Sequence, residues 1–62
     1  MDIYTQYKYE KKWTKTSEKD ALRIIEEEMP ETDASGTLMY ILGEIAKGKT
    51  VTLAECRFKD SI

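Results

Sequence analysis

Gly43-Glu44-Ile45-Ala46-Lys47-Gly48-Lys49-Thr50 matches the phosphate-binding loop pattern letter for letter. Were it such a loop, a strand would enter it and a helix would leave it, so that backbone N–H groups wrap the phosphates. The chain would then be a nucleotide-binding α/β protein. The flanks have the opposite order. Leu38 to Ile45 carries apolar residues at helical spacing, and Thr50-Val51-Thr52-Leu53 is strand-like. Nor is there room for the parallel sheet that holds such a loop, or a carboxylate placed to help hold magnesium. Gly48 reads instead as the stop of a helix, with Lys47 and Lys49 at its negative end. The motif is refused, and the nucleotide with it.

Upstream of that stop, Ala34, Leu38, Ile41, Leu42 and Ile45 recur at helical spacing behind Asp33, a good cap. A first helix precedes it across Pro30 to Thr32. Ser17 caps this helix, Glu18 and Asp20 favour its dipole, and Ala21, Leu22, Ile25 and Met29 form one stripe with Ile24 beside it. Pro30 ends it, because the residue before a proline avoids helical geometry. Together the two make a helical hairpin.

Outside the hairpin lie two β-like segments. Ile3 to Thr16 is rich in tyrosine, tryptophan and threonine and alternates with period two. Ile3, Tyr7, Tyr9 and Trp13 share one face of a continuous strand, and Gln6, Lys8, Glu10, Lys12 and Thr14 share the other. Lys11 interrupts the apolar face, so a break near Glu10-Lys11-Lys12 gives either one bent strand or a short hairpin. With no Asn-Gly or Asp-Gly turn, the bent strand is favoured. In the tail, Ala54, Cys56 and Phe58 alternate out of phase with Val51 and Leu53, while Thr52-Leu53-Ala54-Glu55 also reads as a capping box. The strand is favoured because the first segment otherwise lacks a partner.

The expected fold is therefore α+β: one small two-layer domain over residues 1–62, in β-α-α-β order, with an antiparallel sheet packed on the helical hairpin. Its predicted core is Ile3, Tyr7, Tyr9, Trp13, Leu22, Ile25, Leu38, Ile41, Leu42, Ile45, Val51 and Leu53.

At 62 residues, such a domain buries only about 60% of the surface of its unfolded chain. Disulfides, metals or self-association usually compensate. A single cysteine and no histidine close the first two routes. A homodimer, its open sheet edges paired across a two-fold axis, is the expectation that follows. Cys56, with only Arg57 as a neighbouring cation, reads as a small apolar residue rather than a reactive thiol. Its unpaired state suits a reducing compartment. The start of the chain lacks a signal-peptide pattern, and no apolar run approaches the roughly 20 residues of a membrane span. A cytoplasmic protein with no membrane partner is expected.

Catalytic chemistry has little to work with. The commonest general base is missing, and the adjacent carboxylates of Glu26, Glu27 and Glu28 point in different directions on a helix. No catalytic, cofactor-binding or metal-ligating set emerges, so neither an enzyme nor a cofactor is expected.

Charge is unevenly distributed. Residues 1–16 hold a local excess of +2, residues 17–33 a balance of −5, and the remainder +1. Two surfaces follow. The acidic one, Glu27, Glu28, Glu31 and Asp33, suits a basic groove on another protein. The basic aromatic one, Lys8, Lys11, Lys12, Trp13 and Lys15, offers cations for phosphates and a ring for stacking. The leading expectation is a non-catalytic protein-interaction module, a small regulator or inhibitor that occupies a partner's surface. Its size and outline fit the accessory proteins of phage and mobile elements as a type. The alternative is a nucleic-acid-binding protein using the basic aromatic strand. Continuous alternation argues against that alternative, since it turns the rings toward the helices and the lysines toward water.

Overall fold

The computed structural model describes residues 2–61. Six elements run along the chain: β1 Ile3–Tyr7, β2 Thr14–Thr16, α1 Glu18–Glu28, α2 Ala34–Ala46, β3 Val51–Leu53 and β4 Cys56–Lys59. The strands form one antiparallel sheet in the order β2-β1-β4-β3. Both helices contribute to a single core with the inner face of that sheet. The α+β class and the sheet-on-hairpin arrangement are those read from the sequence.

The helix ends obey local chemistry. Ser17 Oγ accepts from the Asp20 N–H at 3.1 Å, and α1 stops at Glu28 just before Met29-Pro30. At the end of α2, Gly48 N–H donates to the Ile45 carbonyl at 2.9 Å and Lys49 N–H to the Glu44 carbonyl at 3.3 Å. That pair of bonds, with Gly48 at φ +87°, is the Schellman stop. Gly43 lies inside α2, so the glycine-lysine-threonine corner closes a helix. Asp33 holds the cap position of α2, but its side chain makes no capping hydrogen bond.

Each β segment folds on itself, which corrects the bent strand favoured for residues 3–16. There Tyr7 N–H donates to Glu10 Oε1 at 2.8 Å and Glu10 N–H to the Tyr7 carbonyl at 2.9 Å. A carboxylate thus takes the place of an Asn-Gly turn and sends the chain back, pairing Ile3 with Thr16 and Thr5 with Thr14. In the tail, Ala54 and Glu55 make a two-residue turn between β3 and β4, with Ala54 at φ +53°. A positive φ at this position is what the tight hairpin turns require. The turn is fastened from two sides: Glu55 N–H donates to Glu28 Oε1 at 3.2 Å, and Lys8 N–H donates to the Glu55 carbonyl at 2.8 Å.

The buried core is Ile3, Ala21, Ile24, Ile25, Leu38, Ile41, Ile45, Cys56 and Phe58, with Tyr7, Leu22, Leu42, Val51 and Leu53 packed partly buried against it. Two predicted core residues leave it. Tyr9 is 77% exposed in the β1–β2 loop, stacked on Tyr7 with ring centroids 5.5 Å apart. Trp13 is half-buried and lies outside the core cluster. Both departures follow from the turn at residues 8–13, which breaks the alternation on which they were counted. Among the described residues, no helix is long and apolar enough to cross a membrane.

Candidate nucleic-acid interface

The side chains of the sheet divide by register. Thr5 faces Phe58 and Tyr7 faces Cys56 across β1 and β4; with these partners buried or packed on the core, that side belongs to the helices. Alternation puts Tyr4, Gln6, Arg57 and Lys59 on the other side. Tyr4 lies between Lys15 on β2 and Lys59 on β4, while Gln6 pairs with Arg57, which in turn pairs with Thr52 on β3. Continued by one residue, the β1–β2 register sets Trp13 opposite Gln6. The result is a four-strand face bearing Tyr4, Trp13, Lys15, Arg57 and Lys59, on the side away from both helices.

Trp13 organises this face. The Lys59 ammonium stands 4.0 Å from its ring centroid and the Arg57 guanidinium 5.1 Å from it. Each such contact is worth about 0.5–1 kcal/mol at an exposed site. Arg57 also donates to Gln6 Oε1, which leaves Gln6 only 7% exposed although it points away from the helices. Guanidinium, amide and indole therefore support one another in fixed positions. Lys15 remains largely exposed, with Asp2 at 3.6 Å as its ion-pair partner. Beyond Arg57 the face dips into an open hollow of about 360 Å³ lined by Lys8, Thr52, Ala54, Glu55 and Arg57.

Of the residues expected at a nucleic-acid surface, Trp13 and Lys15 lie on this face and Lys8 at its rim. Lys11 and Lys12 are exposed in the loop that delivers Trp13. Tyr4, Gln6, Arg57 and Lys59 were missed. Their signal exists only once β1 and β4 are paired, because the last two stand more than forty residues from the motif in sequence.

The acidic candidates do not form one free patch. Glu28 Oε1 is engaged by the Glu55 N–H of the β3–β4 turn, and Asp33 marks the start of α2. Glu27 and Glu31 are exposed. Glu28 and Glu27 act on Tyr7, whose phenol is held above its usual value chiefly by burial, then by Cys56 and these two carboxylates. Burial likewise pushes the Cys56 thiol up to about 11, aided by Glu28 and Glu10 and opposed by hydrogen bonds to the backbone.

Comparison with family models, curated proteins and solved structures finds no match to this chain.

Proposed function

We propose that the protein is a non-catalytic binding module that takes single-stranded nucleic acid on the open face of its sheet. One observation carries this reading: a half-buried tryptophan flanked by a guanidinium and an ammonium, on a sheet face turned away from both helices. Aromatic rings on a sheet stack bases at about 1–3 kcal/mol per base, and neighbouring cations follow the phosphates. Charge is separated between the layers in the same sense. The sheet segments hold six basic residues (Lys8, Lys11, Lys12, Lys15, Arg57, Lys59) against Asp2, Glu10, Glu55 and Asp60. The helical part from Glu18 to Lys49 holds eight acids against four bases. A helix in the major groove is a poor alternative, since α1 carries only Lys19 and Arg23 among five acidic residues. Three or four phosphate contacts give a salt slope of roughly −2 to −3 on logarithmic axes. Fluorescence anisotropy with a labelled oligothymidylate is expected to show that slope. Arg57→Glu and Lys59→Glu abolish binding, while Lys19→Glu leaves it intact. Binding that ignores salt, or that survives both face substitutions, contradicts the reading.

A second reading, capture of a basic partner protein, is favoured by the end of α1. Glu26, Glu27 and Glu28 fill its last turn with no basic residue, where the helix dipole is already negative. Charges set against local stability point to a use elsewhere. Glu27→Lys with Glu31→Lys removes such capture and leaves oligonucleotide binding in place. If the pair of substitutions changes neither, this second reading is lost.

A further inference from the structure

The exposed face of α2 lies apart from the basic aromatic sheet face, and its composition is unlike the rest of the chain. Residues 34–43 include no charged side chain, although 35% of the whole sequence is charged. The inner face of α2 buries Leu38, Ile41 and Ile45. Its outer face presents Gly36, Met39, Tyr40 and Gly43, all exposed, with Met39 at 74% and Tyr40 at 63%. Asp33 and Lys47 continue the same stripe at its two ends, because 33, 36, 40, 43 and 47 alternate by three and four residues along a helix.

We infer that this face pairs with the same face of a second copy of the chain, the two α2 helices running antiparallel about a two-fold axis at Met39–Tyr40. The stripe is self-complementary about that point. Asp33 and Lys47 are equidistant from Tyr40, and Gly36 and Gly43 are equidistant from the midpoint of Met39 and Tyr40. An antiparallel pair therefore sets the acidic start of each helix against the basic end of the other, twice, as a closed two-fold contact requires. The Asp33 carboxylate lies over Gly36, on the stripe itself, and neither end charge is tied up by a cap. Asp33 makes no capping hydrogen bond and no ion pair among the described residues. Lys47, at 3.1 Å from Glu44, keeps its side chain 66% exposed. At the centre, Met39 and Tyr40 supply apolar area, and a Cβ added at Gly43 meets nothing within 4 Å, so a second backbone has open access there. One helix per copy covers less than the ~800 Å² per partner of a standard interface, and the expected contact is a weak one, roughly micromolar to millimolar. This contact uses the layer opposite the basic aromatic sheet face and does not depend on what that face binds.

Sedimentation of the full chain from about 10 μM to 1 mM tests it, together with variants that the monomer accommodates. The wild type passes from monomer to dimer across that range. Gly43→Lys, whose side chain enters open space in the monomer, weakens the dimer by more than about a hundredfold through burial of unpaired charge. Its far-ultraviolet circular dichroism stays unchanged. Asp33→Lys weakens it too, and adding Lys47→Asp restores it. Tyr40→Cys cross-links two copies under mild oxidation, and Thr52→Cys on the β3 edge does not. A chain that stays monomeric throughout overturns the inference. So does a dimer that ignores Gly43→Lys or cross-links through Thr52→Cys, which is the sign of edge-to-edge sheet pairing.

Discussion

Cys56 shows how burial, more than any neighbouring charge, decides what a residue does. Its side chain has no exposed area, and loss of hydration raises its thiol from 9.0 to about 11. An acid held protonated by folding stabilises the fold fully below its unfolded value and stops doing so above its folded one. This contribution, roughly 2–3 kcal/mol, is therefore expected to disappear as pH rises from about 9 to about 11. Urea titrations across that window check it. At pH 8, Ellman's reagent is expected to react slowly with the native protein and at once with the unfolded one; fast native labelling contradicts the burial. Ala54 is the other telling residue. It sits at φ +53°, where an L side chain is disfavoured by about 1 kcal/mol relative to glycine. Ala54→Gly is expected to raise stability by about that amount, measured by thermal or urea unfolding. The reading of Cys56 as a small apolar residue came directly from its neighbours in sequence. Trp13 did not come so easily. Its side of the sheet depends on parity, and six residues of loop between β1 and β2 reverse parity, so that odd positions face the helices in β1 and even ones in β2.

At the scale of elements, the helices were legible and the strands were not. Caps, stops and apolar stripes are local features, so Ser17, Pro30 and Gly48 fixed the helix limits within a residue or two. Strand number is a matter of pairing, which is not local. One trace of it was present: Cys56 and Phe58 alternate out of phase with Val51 and Leu53, and a two-residue turn produces that phase break. No such break marks residues 3–16, where Ile3, Tyr7, Tyr9 and Trp13 keep one phase, so the hairpin closed by Glu10 stayed hidden without an Asn-Gly turn. The end of α1 carries a stability prediction of its own. Glu27 opposes the dipole in the last turn and makes no ion pair among the described residues. Glu27→Lys is expected to stabilise the protein by about 0.3–1 kcal/mol, or a few degrees in melting temperature for a domain of this size. A lower melting temperature contradicts that view of the helix end.

For the whole molecule, the consequence of the register is a division of labour between layers. One side of the sheet meets the helices and forms the core. The other gathers Tyr4, Trp13, Lys15, Arg57 and Lys59 from three strands and a loop into one surface. Two of those five residues, Trp13 and Lys15, were visible as a local run of lysines and aromatics; the rest required β4 to be laid beside β1. Trp13 is the only tryptophan in the chain, so its emission reports on this face and nothing else. The most direct measurement is the fluorescence of the native protein titrated with unlabelled oligothymidylate at about 50 mM salt. Base stacking is expected to quench the emission to saturation, with the quenching reversed at high salt and lost in Lys59→Glu. Emission that stays constant throughout the titration contradicts a nucleic-acid platform on the open sheet.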